Sequence, residues 1–215
     1  MPFVSQKQAG TQWVHDLNNR LAGMRLNVLL ARMQIKSKDR KLAGLLRDIE
    51  AGCNQMAALL EQRPGLTASS TARQIVSEEP SSVKTRKKRG RVMLMDDNEF
   101  LRGSLPKILR EVGFQVEIAP SGEACIKLFN ELAGKGKKID AFILDVKVPG
   151  GLGGIETLAR LREINPEVRA IASSGYSETD VMSNYKRYGF NAALNKPFRV
   201  QELVQLLDNL IASKP

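Results

Sequence analysis

From residue 92 onward, short apolar runs alternate with longer segments whose apolar positions recur every three or four residues. The strand candidates are 92–95, 115–118, 141–144, 168–172 and 192–194, lengths suited to strands. The segments between and after them, 101–112, 123–132, 155–164, 178–188 and 200–211, have the spacing of amphipathic helices. Strands alternating with helices in this way predict an α/β fold, a parallel sheet covered by helices on both faces.

The first third of the chain has a different rhythm. Trp13, Leu17, Leu21, Met24 and Val28 recur at helical spacing, and Leu42, Leu45, Leu46, Ile49, Cys53, Met56 and Leu60 repeat it. A polar turn at 37–40 separates them, with Ser37 or Asp39 placed to cap the second helix. The pattern predicts an antiparallel hairpin over 1–62. A lone hairpin leaves its apolar stripe wet, so a homodimer forming a four-helix bundle is expected. Docking of the hairpin on the C-terminal domain of the same chain is the alternative. Residues 63–91 read as a flexible basic linker: Arg63-Pro64-Gly65 breaks the helix, and little apolar surface follows to offset ordering entropy. The C-terminal domain then occupies 92–215.

Charge sharpens this division. The net charge of +10 splits into +4 over 1–62, +6 over 63–91 and zero over 92–215. The excess is concentrated in the linker rather than on a folded face, so nucleic acid is not expected as a partner. With 42% hydrophobic residues the chain can build an ordinary core. No apolar run approaches a membrane span, and residues 1–10 lack the apolar core of a signal peptide. Cys53 and Cys125 are far apart and without metal-ligand spacing, which fits buried thiols in a reducing cytoplasm.

The chemistry collects at the ends of the strands, where ligands bind in open parallel sheets. Asp96 and Asp97 follow the first strand, Asp145 the third, Ser174 the fourth, and Lys196 the fifth, ahead of Pro197 and Phe198. Three clustered carboxylates repel unless a cation neutralises them, and Mg²⁺ suits hard oxygen ligands with room left for water and phosphate. A lysine and a serine hydroxyl are the groups that stabilise the equatorial oxygens of a transferring phosphoryl group.

With these motifs, Met95-Asp96-Asp97, 144–150, Ser173-Ser174-Gly175-Tyr176 and Asn195-Lys196-Pro197-Phe198, residues 92–212 resemble the receiver domain of two-component response regulators. The resemblance implies a flavodoxin-like five-stranded parallel sheet of order 2-1-3-4-5. It implies that Asp145 is the phospho-acceptor and that Mg²⁺ is held by Asp96, Asp97, Asp145 and the backbone carbonyl of Lys147. Ser174 would then be the switch hydroxyl, and Lys196 the partner of the phosphoryl oxygens. The glycine-rich stretch 150–154 is similar to that of receivers attached to hybrid sensor kinases. Ala193 departs from the family, because many receivers carry an aromatic residue three positions before the lysine.

The single histidine, His15, lies in His15-Asp16-Leu17-Asn18-Asn19, which resembles the phospho-accepting box of the sensor-kinase dimerisation region, as does 27–32. That resemblance implies His15 as a phospho-histidine, Asp16 as its polarising neighbour and Asn19 as the residue that orients water. No ATP-binding domain can be placed between hairpin and receiver, so the chain is not expected to act as an ATP-dependent kinase. The resulting expectation is a phosphorelay protein. Its receiver takes a phosphoryl group from a histidine kinase, and its hairpin dimerises and relays the group or hydrolyses it from a receiver. The competing expectation is a response regulator with a purely structural hairpin and a basic linker that contacts nucleic acid.

Overall fold

The computed structural model describes residues 17, 20, 21, 23–32, 40–61, 89–175 and 179–213. Helix α1, described over 23–32, and α2 (Arg40–Glu61) form the N-terminal segment. Strand β1 (Gly90–Met95), α3 (Glu99–Glu111), β2 (Phe114–Ala119), α4 (Gly122–Gly134), β3 (Ala141–Asp145), α5 (Gly154–Ile164) and β4 (Ala170–Ser174) follow. The chain then runs through α6 (Thr179–Ser183), a 3₁₀ turn (Tyr185–Tyr188), β5 (Ala192–Asn195) and α7 (Val200–Ala212). The strands form one parallel sheet in the order β2-β1-β3-β4-β5, the flavodoxin-like order that the resemblance implies.

Strand alternation divides the core. Val92, Leu94, Ala141 and Ile143 face a layer built from Leu101, Leu105, Ile108 and Leu109 of α3 and Leu203, Leu207 and Leu210 of α7. Met93, Met95, Phe142 and Leu144 face the opposite layer, which includes Phe129 of α4 and Leu158 and Leu161 of α5. Side chains on successive strand residues point to opposite faces, so a strand buried on both reads as a continuous apolar run. Pro106 lies inside α3 without ending it, although proline removes a backbone donor there. Burial of the leucines on either side of it holds the helix.

Several elements differ from the sequence reading. β1 begins two residues early, at Gly90, and Arg89 pairs with Asp208 at 2.8 Å. β4 is displaced two residues toward the C-terminus, because the carbonyl of Val168 accepts from the Arg162 guanidinium instead of from a strand. The single helix expected over 178–188 is broken. The Asp180 carboxylate accepts from Asn184 Nδ2 at 2.9 Å and from the Tyr188 hydroxyl at 2.5 Å, and a 3₁₀ turn replaces the second half. Cys53 packs with Leu21 and Leu17, as hairpin packing requires. Met24, Leu45, Ile49 and Met56, on the apolar stripes of the two helices, are exposed in the single chain, Met24 at 48%. Among the described residues no helix is long and apolar enough to cross a membrane.

Candidate functional site

The carboxyl ends of β1, β3, β4 and β5 meet at one edge of the sheet. Asp96 is the first residue beyond β1, Asp145 and Ser174 are the last residues of β3 and β4, and Lys196 is the first beyond β5. Ladder bonds fix these ends relative to one another. The Val146 amide donates to the Ser173 carbonyl at 2.9 Å, and that of Lys196 to the Ser174 carbonyl at 2.7 Å. The acid pair is held from the helix that follows it. Asn98 caps α3 by accepting from the Phe100 and Leu101 amides, its own amide donates to Asp96 Oδ1 at 2.9 Å, and Arg102 donates to the Asp96 carbonyl at 2.7 Å.

The Lys196 ammonium lies 2.6 Å from Asp96 Oδ2 and 2.5 Å from Asp145 Oδ2. All three side chains are excluded from solvent, at 0%, 1% and 0% exposure for Lys196, Asp96 and Asp145. A carboxylate oxygen of Asp97 completes a cluster with Asp96 and Asp145 whose ligand atoms all lie within 4.8 Å of one another. Two acids thus share one buried cation while a third stands beside them. Burial drives the Asp145 carboxyl upward. Lys196 offsets part of that and Asp96 adds to it, leaving Asp145 pushed from 3.8 to about 7. Burial alone would lower Lys196, but the Asp96 and Asp145 carboxylates outweigh it and hold the ammonium above its usual range.

The Ser174 and Ser173 hydroxyls are buried and, among the described residues, have no hydrogen-bond partner. A buried hydroxyl without a partner costs free energy and calls for an explanation. For Ser174, which ends β4 beside the carboxylate cluster, an incoming oxyanion would supply one.

The loop after Asp145 is tied down at several points. The Leu152 amide donates to Glu123 Oε1 at 3.0 Å, and the Gly122 amide to the Leu152 carbonyl at 3.1 Å. The Thr157 hydroxyl donates to the Gly153 carbonyl at 2.7 Å. A Cβ on Gly154 would lie 2.7 Å from the Asp145 carbonyl oxygen, and one on Gly153 would collide with the Val146 carbonyl. The glycine-rich stretch therefore lets two backbones pass at contact distance next to Asp145.

The structure brings together Asp96, Asp97, Asp145, Ser174 and Lys196, and it places Lys147 two residues beyond Asp145 with its amide 3.1 Å from Asp145 Oδ1. His15, Asp16 and Asn19 lie outside the described residues. The sequence reading does not single out Asn98, Arg102, Thr157 or Glu123. A capping residue after the acid pair points to Asn98, but no local pattern marks the other three, whose partners are distant in sequence or backbone atoms.

A family model for the response regulator receiver domain matches residues 92–208, more than half of the chain. The chain belongs to the response regulator receiver family. This receiver is 31% identical over 116 residues to a response regulator receiver protein of Anaeromyxobacter sp. (strain Fw109-5), covering 54% of this chain and 46% of that one. It is 27% identical over 113 residues to sporulation initiation phosphotransferase F of Bacillus subtilis, covering 53% of this chain and 86% of that one. A solved response regulator receiver domain protein from Clostridium thermocellum superposes with a TM-score of 0.52 at 25% identity, covering 57% of this chain and 94% of its own. The chain thus spans less than half the length of the first of these relatives. The receiver assignment places it in two-component signalling, and the acidic pocket described above is the site at which such domains bind Mg²⁺.

The buried acid cluster has a measurable consequence in chelator. Unfolded Asp145 ionises at its ordinary value, whereas the folded carboxyl keeps its proton to about pH 7. Between those values the folded state binds the extra proton, so this group's contribution to stability falls as pH rises and levels off above about 7. Asp145→Asn is therefore expected to be more stable than the parent chain at pH 8 by about 1 kcal/mol or more, with the gain gone at pH 4. Urea midpoints at the two pH values check this, and equal midpoints at pH 8 would contradict it.

Proposed function

We propose that this chain is a two-component phosphorelay protein in which Asp145 accepts a phosphoryl group from a histidine kinase. The observation that carries the reading is Lys196 bonded to both buried carboxylates, Asp145 and Asp96. A side-chain oxygen of Asp145 attacks phosphorus in line. The bond from phosphorus to the donor imidazole breaks, and the imidazole leaves with the electron pair. Lys196 transfers its contact from the free carboxylate to the phosphoryl oxygens, and the Ser174 hydroxyl donates to the same group. Asp96, Asp97, Asp145 and the Lys147 carbonyl are the residues that would hold Mg²⁺. The donor set fits, being three carboxylates and a carbonyl, all hard oxygen ligands. When bound, the cation offsets the clustered negative charge of carboxylates and phosphoryl group.

On this reading the chain receives phosphate rather than generating it from ATP. The exposed face of α2, with Leu45, Ile49 and Met56, supports pairing with a second copy. His15, with Asp16 and Asn19, then relays the group or hydrolyses it from a receiver. The nucleic-acid alternative is weakened because Arg89 and Arg91, the last two arginines of the basic tract, pair with Asp208 and Glu117.

The experiment is labelling with acetyl phosphate. An acid-stable, base-labile phosphoryl label is expected in Mg²⁺ and is expected to disappear in chelator. Labelling that ignores chelation would refute the metal assignment. An acid-labile, base-stable label, if it forms on transfer, is expected to vanish in His15→Gln. If His15→Gln alters neither that label nor the decay of the aspartyl phosphate, the hairpin is a scaffold.

A further inference from the structure

Helix α1 has two working faces. Leu17 and Leu21 lie against Cys53 of α2. Gly23, Leu26, Asn27 and Leu30, at i, i+3, i+4 and i+7, form a second stripe along the helix. Leu26 is 4% exposed and belongs to the receiver's own core layer, with Leu29 and Leu30 packed against it. Gly23 meets α3 so closely that a Cβ there would lie 2.7 Å from the Cβ of Phe100. Asn27 Oδ1 accepts from the hydroxyl of Ser104, which is itself 4% exposed. The fit combines a notch, an apolar knob and a specific hydrogen bond, and Ser104 gains in Asn27 a partner that solvent would otherwise supply.

The position of this contact matters. α3 starts just after Asp96 and Asp97, and its first turns carry Phe100 and Ser104. One wall of the rim around Asp145 is therefore the helix that α1 covers. A small phosphodonor needs only the pocket, whereas a protein donor presenting a phospho-histidine must also rest on the surface around it, of which α3 is part.

We propose that α3 carries a helix-binding surface that α1 occupies in cis, so that a protein phosphodonor reaches Asp145 freely only when α1 is displaced. This rests on Asp145 being the acceptor. The partner that competes with α1 is one presenting an amphipathic helix, with a small residue against Phe100 and an apolar residue three positions on.

The test uses the full chain and its Gly23→Leu variant, which keeps or improves helix propensity while forcing bulk against Phe100. Asn27→Ala, which removes only the Ser104 bond, is the milder companion. Two readouts are taken. Amide exchange over 99–105 is expected to accelerate about tenfold or more in Gly23→Leu and less in Asn27→Ala. Phosphotransfer from the purified, autophosphorylated histidine kinases of the host is expected to be at least about fivefold faster to Gly23→Leu, while acetyl phosphate labelling stays within about twofold of the parent. Unchanged exchange would show that α1 does not hold α3, and overturns the proposal. So does kinase transfer that is equal in parent and variant, or absent from both, while acetyl phosphate still labels them. Failure of acetyl phosphate to label the parent chain would instead refute the acceptor assignment, and the exchange result would still decide whether α1 is docked.

Discussion

Asp145→Asn is expected to abolish the aspartyl-phosphate label, lowering incorporation from acetyl phosphate by more than about 100-fold. The asparagine side chain has nearly the same shape, and Lys196 keeps its bond to Asp96, so the pocket survives the change. On the proposed reading what is lost is the nucleophile: an amide carries no anionic oxygen to attack phosphorus. The variant is also expected to be the more stable protein in chelator at pH 8, which separates loss of chemistry from loss of fold. Mass spectrometry of the intact protein, with base treatment to confirm the linkage, reads the outcome. A label that persists in Asp145→Asn would remove Asp145 as acceptor.

The second large effect is on stability. Lys196→Met retains length and apolar stem but removes the cation that Asp96 and Asp145 share at 2.6 and 2.5 Å. Removing one partner of a buried ion pair leaves uncompensated charge and costs about 3–5 kcal/mol. For a receiver of this size that lowers the thermal midpoint in chelator by roughly 10–20 °C. Excess Mg²⁺ is expected to restore part of the loss, since a ligand that binds only the folded state stabilises it. Adding Asp145→Asn to Lys196→Met should also recover stability, because the two residues share one interaction and their effects cannot add. A midpoint in Lys196→Met equal to that of the parent would mean that the ammonium is not the charge holding these carboxylates.

These effects converge on residues that were legible in the sequence. Asp96, Asp97, Asp145, Ser174 and Lys196 each follow or end an apolar run, and a parallel sheet brings the carboxyl ends of its strands to one edge. The acid cluster follows from that rule together with the strand assignments. The strand ends were less legible. Ser173 and Ser174 look like loop residues, yet they complete β4, because their backbones pair with Asp145 and Asn195 regardless of side-chain polarity. The helix expected over 178–188 had the right periodicity, but it divides into a short α-helix and a 3₁₀ turn, and the Tyr188 hydroxyl reaches back to Asp180, eight residues away and about two turns distant on a continuous helix.

The hairpin shows most clearly where pattern and packing part. Periodicity along α1 and α2 establishes that apolar positions share a helix face, because 3.6 residues complete each turn whatever the surroundings. The alternating apolar runs from residue 92 likewise establish the class of fold and the strand ends that gather the acids. Periodicity carries no information about the occupant of the facing surface. Leu26 falls outside the stripe that Leu17, Leu21, Met24 and Val28 suggest, yet it enters the receiver core, while Met24 is left in solvent. The reason is steric and lies in α3: Phe100 admits a helix only where a glycine stands, and Ser104 selects the asparagine four residues on. Those contacts join residues about 77 positions apart, a separation over which no local pattern acts, so they arise only when both helices are in place.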